Sequence, residues 1–284
     1  MKRFAPLLAL VFVFSIFASK TYPAEFYSPR PDGKYDNSTY LVDPEKHSFS
    51  KALQSIVKIR IRTVFKVPEW IRPPGDKTTD EQVSDTFALV LENRVLITLA
   101  HVVVRSGVVV NTPQGLMRVP AEKLSEDVFV VKNSAEHKLK PLYVDGEDVA
   151  FFEIPKDVSV RPFPYSLGNS DELEIGNLVY VLGNPMLSGL NVREGIVSAL
   201  SFPDFKDAFS VSNGVYPGDS GMPAIAIRDG KFELVGLAQV ALSDGRIYAA
   251  HVGGVLSINT IRRAILEKCQ KCSDEIKKFF SHLK

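Results

Sequence analysis

Ser220 stands in a short run, Val215-Tyr216-Pro217-Gly218-Asp219-Ser220-Gly221, that could present an activated hydroxyl. A serine hydroxyl is a poor nucleophile at neutral pH, so it needs a base beside it and a third group to orient that base. The glycines around it let the backbone bend sharply and approach a substrate with no side chain in the way. In such a turn the N–H groups of Gly218 and Ser220 can point at one spot and bind the oxyanion of a tetrahedral intermediate. Each such donor is worth about 2.7–4 kcal/mol in the transition state. Taken alone, Gly218-Asp219-Ser220-Gly221 also fits an ordinary structural turn.

A histidine can serve as that base, and there are five: His47, His101, His137, His251 and His282. Only His101 ends an apolar strand among small residues, Thr98 and Ala100, that leave room for a ring to move. The orienting carboxylate is sought next to a buried strand. Asp148 directly abuts the apolar run Val149 to Phe152, so it is the carboxylate expected to be shielded, with Asp145 and Glu147 as competitors. A shielded carboxylate can fix the imidazole tautomer and stabilise the imidazolium.

These residues need a scaffold, and the chain reads as β-rich. It has 284 residues, 45% hydrophobic and 24% charged, which suits a globular protein with a sizeable core. Eighteen prolines and eighteen glycines punctuate many short Val/Ile/Phe runs. Strands are expected at 56–64, 86–91, 94–104, 107–111, 127–132, 138–144 and 148–154. A second set is expected at 177–182, 191–200, 209–213, 222–227, 232–240 and 246–255. His101 falls at the end of the strand 94–104. This succession is the signature of sandwiches or barrels. Residues 68–83, with Pro73-Pro74-Gly75, read as a long surface loop, which Trp70 would pin to the barrel.

The ends differ from this body. Lys2 and Arg3 precede an apolar run from Ala5 to Ala18, as in a signal peptide or N-terminal anchor over 1–24. An exposed arm is expected over 25–47, with a glycosylation-type triplet at Asn37-Ser38-Thr39. The bodies of the two barrels would span 48–160 and 161–257. After Ser257 the period changes. Ile261, Ile265, Cys269, Cys272, Ile276, Phe279, Phe280 and Leu283 form one stripe at helical spacing, so an amphipathic helix is expected over 258–284. The stripe is expected to pack on the last barrel or on a neighbouring subunit. The two cysteines read as packing thiols or a local disulfide. The net charge of +1 gives no reason to expect a nucleic-acid partner, and a membrane is expected only if the N-terminal segment stays uncleaved.

The order His101, Asp148, Ser220 is that of chymotrypsin-like peptidases. The surroundings resemble the HtrA branch of serine proteases. The resemblance lies in Thr98-Leu99-Ala100-His101-Val102-Val103 and in Asp148-Val149-Ala150-Phe151-Phe152. It continues in Ser166 to Gly176, in Val181-Leu182-Gly183-Asn184-Pro185 and in Gly195-Ile196-Val197-Ser198-Ala199, and covers about residues 50–268. It implies an all-β fold of two six-stranded barrels with the cleft between them, His101 and Asp148 from the first and Ser220 from the second. It implies acyl transfer to Ser220 and hydrolysis of unfolded or damaged exported proteins, in the periplasm or secreted. No metal or organic cofactor is needed, the substrates are proteins or peptides, and a homotrimer is suggested. By the same resemblance, Gly214 lies at the base of the primary pocket and Ala238, Gln239 and Val240 line one wall. None is charged, so cleavage after small or medium apolar residues is expected.

The chain also departs from that pattern. Val83-Ser84-Asp85-Thr86 stands where family members carry glycines, and Met222 where they carry a second glycine after the nucleophile. Asp219 is aspartate, as in chymotrypsin-like enzymes, where it pairs with a new N-terminus after activation. No activation site is evident, so another partner or solvent is expected. The span after Ser257 leaves no room for the PDZ module of HtrA proteins. A competing class is a latent scaffold of the same fold that binds proteins, with Met222 blocking or distorting the oxyanion hole.

Overall fold

The computed structural model describes residues 32–36, 47–71, 75, 77–112, 115–145, 148–202, 205, 207–243 and 248–281. The signal-type run at 1–24 and the triplet at 37–39 lie outside them. Residues from Asp32 onward form one unit. After a short helix α1 (Phe49–Leu53), the chain runs β1 (Ile56–Lys66), β2 (Thr79–Val90) and β3 (Val95–Thr98). A one-turn helix α2 (Ala100–Val103) leads to β4 (Gly107–Thr112), β5 (Gly115–Pro120), β6 (Glu122–Lys132), β7 (Ala135–Lys138), β8 (Lys140–Asp145) and β9 (Val149–Glu153). The second set is β10 (Ser166–Leu167), β11 (Leu178–Gly183), β12 (Asn191–Ala199), β13 (Ala208–Val211), β14 (Pro223–Arg228), β15 (Lys231–Ser243) and β16 (Tyr248–Ser257). Helical segments α3 (Ile258–Arg263) and α4 (Asp274–Ser281) follow.

The first sheet has the order β7-β6-β1-β2-β3-β9-β8 and stays open, a half-barrel, with β4-β5 as a separate hairpin. The second is ordered β10-β15-β14-β11-β12-β13-β16. Pairing of β15 with β16 closes its six long strands into a barrel. The fold is therefore all-β, two barrel units with C-terminal helices.

β1 shows why the residues take this form. Ile59, Ile61, Thr63 and Phe65 are fully buried at period two, while Lys58, Arg60 and Arg62 face outward. Arg60 lies directly opposite Asp85 and binds it at 2.6 Å; Arg62 and Arg60 share Glu136. This ladder corrects the loop expected at 68–83. β1 runs on to Lys66, which pairs with Thr79, so the run 79–83, polar but for Val83, is strand. Its charges face solvent and carry no hydrophobic alternation to read. Trp70 does not pin the loop: it is 75% exposed.

The C-terminal stripe is interrupted where one helix was expected. α3 passes into a single π-helical stretch, Ala264–Lys268, and a Cys269–Cys272 disulfide closes the turn before α4. Ile261, Ile265, Cys269, Cys272, Ile276 and Phe280 are all buried in the main core. α3 packs on β15 and β16, while Asn93, in the turn between β2 and β3, donates to the Glu275 carbonyl on α4 at 3.5 Å. The helices thus tie the second barrel to the first.

Candidate active site

His101 sits on α2 and not at a strand end as the sequence suggested. β3 is fully buried over Val95–Thr98, and the chain turns at Leu99 into one helical turn. The first N–H groups of a helix have no partner within it. Here Asp148 takes two of them: its carbonyl accepts from the Ala100 N–H at 3.1 Å and its carboxylate from the His101 N–H at 2.8 Å. The same carboxylate receives His101 Nδ1 at 2.8 and 2.9 Å. Asp148 adopts φ = 63°, a left-handed conformation that aspartate tolerates better than most residues. With Nδ1–H bonded to the carboxylate, Nε2 is left as the basic nitrogen, on a ring 47% exposed.

A third donor reaches this carboxylate from the other barrel. Gln239 Nε2 donates to Asp148 Oδ2 at 2.9 Å, and Gln239 is only 6% exposed. β15 carries a bulge between Ala238 and Val240, and such an extra residue re-aims a side chain. Burial alone would push the Asp148 carboxyl up. The hydrogen bonds and charge of His101, together with Gln239, outweigh burial and hold it below the usual carboxylate value. Gln239, expected along a pocket wall, has its amide committed to Asp148. Ala238 beside it is fully buried and Val240 half-buried.

The Ser220 turn is held from several sides. Gly218 has φ = 97° and Gly221 φ = 85°. A Cβ at Gly218 would collide with the Asn184 carbonyl oxygen, and one at Gly221 with the Thr98 hydroxyl, so the turn packs directly on β3. The N–H groups of Tyr216, Asp219, Gly221 and Met222 are all used, by Asp219 Oδ2, Tyr216 O, Ala238 O and Asp219 O respectively. Those of Gly218 and Ser220 have no partner among the described residues. Among the described residues they are the two backbone N–H groups of the run Tyr216 to Met222 without a partner. The Pro217 carbonyl accepts from Met186 N–H at 2.6 Å. In a trans peptide the N–H of Gly218 points the opposite way. Among the described residues, Ser220 and His101 share no hydrogen bond.

Asp219, for which the sequence left partner or solvent open, is fully buried and bound by Arg193 Nη2 at 2.6 Å. Arg193 was missed because β12 reads as a strand with one more surface charge. The only signal was the need of a buried Asp219 for a cation. Met222 is fully buried in the core shared by both barrels, so it fills that interior and leaves the turn open. The shared core demands an apolar side chain there. Gly214 has φ = 68° and lies against Gly253, where a Cβ would collide with the Val215 N–H. Among the described residues, no three or more His, Cys, Asp or Glu side chains are arranged to hold a metal ion.

The chain is similar to known peptidases. A family model described as a trypsin-like peptidase domain matches residues 87–237, more than half of the chain. A probable periplasmic serine endoprotease, DegP-like, from Chlamydia pneumoniae is 29% identical over 189 residues, 64% of this chain and 34% of that protein. Its counterpart from Chlamydia muridarum is 34% identical over 96 residues, 32% of this chain and 19% of that protein. The chain thus spans at most about a third of the length of these relatives. Among solved structures, the HtrA-type protease AlgW with decapeptide aligns with a TM-score of 0.52 at 18% identity, covering 77% of this chain and 66% of that one. The Rv3671c protease from M. tuberculosis, in its active form, aligns with a TM-score of 0.51 at 19% identity, covering 82% and 89%.

Proposed function

Since the chain belongs to the trypsin-like peptidase domain family, we propose that it is an HtrA-like serine endopeptidase working through Ser220, His101 and Asp148. The observation that carries this is the Asp148 carboxylate, which holds Nδ1 of His101 with both oxygens while the Ser220 turn keeps two N–H groups free. His101 Nε2 takes the Ser220 proton as Oγ attacks the scissile carbonyl. The C–N bond then breaks as the imidazolium returns the proton to the leaving amine. Water, deprotonated by the same nitrogen, releases the acyl group. Asp148 stays ionised throughout and stabilises the imidazolium. The N–H groups of Gly218 and Ser220 receive the oxyanion. The Ser220–His101 hydrogen bond forms when substrate fills the cleft, as apo sites commonly hold such contacts long.

The substrates are unfolded or damaged proteins, cut after small or medium apolar residues, since Gly214, Ala238 and Val240 offer no charge. The names of the relatives support action in the periplasm. Among the described residues no helix is long and apolar enough to cross a membrane. The burial of Met222 away from the turn speaks against a scaffold with a distorted hole. The test is digestion of a reduced, unfolded protein with the new termini read by mass spectrometry. Cleavage after apolar residues, abolished in Ser220→Ala, is expected. Equal cleavage by Ser220→Ala, or cleavage mainly after arginine, would contradict the proposal.

A further inference from the structure

We propose that Arg105, Arg118 and Ser84 form an anion-binding site beside the catalytic cleft, one that takes a carboxylate or phosphate group. The site uses none of the residues assigned to hydrolysis. Its binding step stands apart from the peptidase reading, and only its effect on substrate choice rests on that reading. Arg105 follows α2 by two residues, and the Val104 N–H just before it still bonds to the Ala100 carbonyl at 2.8 Å. Four residues of chain span at most about 14 Å, so the backbone of Arg105 lies within that distance of His101. Ser84 comes from β2, and Arg118 from β5, where it pairs with Val109 of β4.

The charges there do not balance. Arg105 is half-buried, and its guanidinium has one hydrogen-bond partner among the described residues, the Ser84 hydroxyl, 2.7 Å from Nη2. Glu126 is the neighbouring carboxylate, but its oxygens are engaged elsewhere. Oε2 accepts from the Arg105 backbone N–H at 3.0 Å and the Thr63 hydroxyl at 3.4 Å, and Oε1 from Lys123 Nζ at 2.9 Å. Arg118 is exposed and has no carboxylate partner among the described residues. Arg105, Arg118 and Lys123 thus share one carboxylate. Burial, and then the Arg118 charge, hold the Arg105 guanidinium below the usual arginine value, and Glu126 offsets only part of this. A guanidinium does not give up its proton in a protein, so the imbalance is relieved by an anion from outside.

The donors suit an oxyanion. Most side-chain N–H groups of Arg105 remain after the Ser84 contact, and they lie in one planar fork. A carboxylate or phosphate accepts two parallel bonds from such a fork. The Ser84 hydroxyl accepts from Nη2 and keeps its own proton to donate. Ser84 belongs to the stretch Val83-Ser84-Asp85-Thr86, where the chain departs from the glycines of the HtrA branch. Arg118 sits on an anchored strand, since its neighbour Val119 is buried with Val108 and Phe65. A free phosphate can enter directly. An extended peptide rises about 3.3 Å per residue, so an acidic side chain about three to five residues from the scissile bond can also reach the site.

The test uses the purified full chain with Arg105→Gln and Arg118→Gln, at low ionic strength. Inorganic phosphate is titrated by calorimetry against matched chloride. Saturable binding to the wild type is expected, weakened about tenfold or more in Arg105→Gln and several-fold in Arg118→Gln. In parallel, kcat/KM is compared for peptide pairs carrying Glu or Gln at each position about three to five residues from the scissile bond. A Glu preference at one position, lost in Arg105→Gln, identifies a substrate carboxylate as the ligand. Phosphate binding without such a preference identifies a free phosphate. Absence of both phosphate binding and Glu preference overturns the proposal, as does a folded Arg105→Gln that leaves them unchanged. If circular dichroism shows that Arg105→Gln does not fold, the exposed Arg118→Gln decides on the same two readouts. Fluorophosphonate labelling is expected to be unchanged in both variants. A wild type that takes no label and cuts no peptide would sink the peptidase reading, and the phosphate titration would still decide this one.

Discussion

Gln239→Leu separates two roles for one residue, orienting Asp148 or lining the specificity pocket. The substitution removes the Nε2 donor 2.9 Å from Asp148 Oδ2 and fills the same buried space. A hydrogen bond to a charged group is worth about 1.5–3 kcal/mol net. Its loss raises the pKa of the carboxyl it stabilises. The same sum, if lost wholly in the transition state, is about 10- to 100-fold in rate. The sign follows from Asp148 lying below its usual value in the fold. Whatever needs the ionised carboxylate is present above its folded pKa and is lost as pH falls through it. Raising that pKa moves the loss to higher pH. The assay is kcat/KM against pH for wild type and Gln239→Leu, run on two peptides with different apolar residues before the scissile bond. The expected result is a 10- to 100-fold drop common to both peptides and an acid limb displaced upward. An unmoved limb with altered preference between the peptides would refute the orienting role and restore the pocket wall.

Asp148→Asn should lower turnover by about 10⁴-fold with circular dichroism unchanged. Near-normal turnover would remove Asp148 from the triad and direct the test to Asp145. Asp36 is buried, with one oxygen unpartnered among the described residues, and burial together with Asp229 and Asp32 pushes its carboxyl up to about 6. An acid raised by folding binds its proton more tightly in the fold, so stability should rise as pH falls from above 6 toward 4. Asp36→Asn should therefore stabilise by about 1 kcal/mol at pH 7.5, allowing for solvent screening, and by nothing at pH 4 in thermal melts. A difference independent of pH would contradict this. Replacing Cys269 and Cys272 together by serine should cost about 2 kcal/mol in urea unfolding, as expected for opening so short a loop. Fluorophosphonate labelling of the folded variant should be unchanged; loss of labelling would mean that the disulfide shapes the site.

The strand pattern was legible because burial writes itself as alternation. Ile59, Ile61 and Phe65 on β1, and the continuous apolar runs of β3, β9 and β11, were readable before any contact was known. The stripe from Ile261 to Phe280 was readable at its 3.6-residue period, though not the break at the disulfide, because a closed four-residue turn leaves that spacing nearly intact. What escaped depends on contacts between distant residues. Arg193 and Asp219 are 26 residues apart and meet only because β12 passes over Gly183. Gln239 turns to Asp148 through a bulge in β15, which leaves no mark in composition. Thr79 to Gln82 joins the sheet through pairing with β1, although its own residues are polar. The single helical turn bearing His101 is held by Asp148, a partner 47 residues away.

The most direct test of an activated serine is to treat the purified protein with a fluorophosphonate and measure its intact mass, with Ser220→Ala alongside. One adduct on the wild type, located on Ser220 by peptide mapping, and none on the variant is the expected result. An unlabelled wild type, or equal labelling of the two proteins, would contradict it.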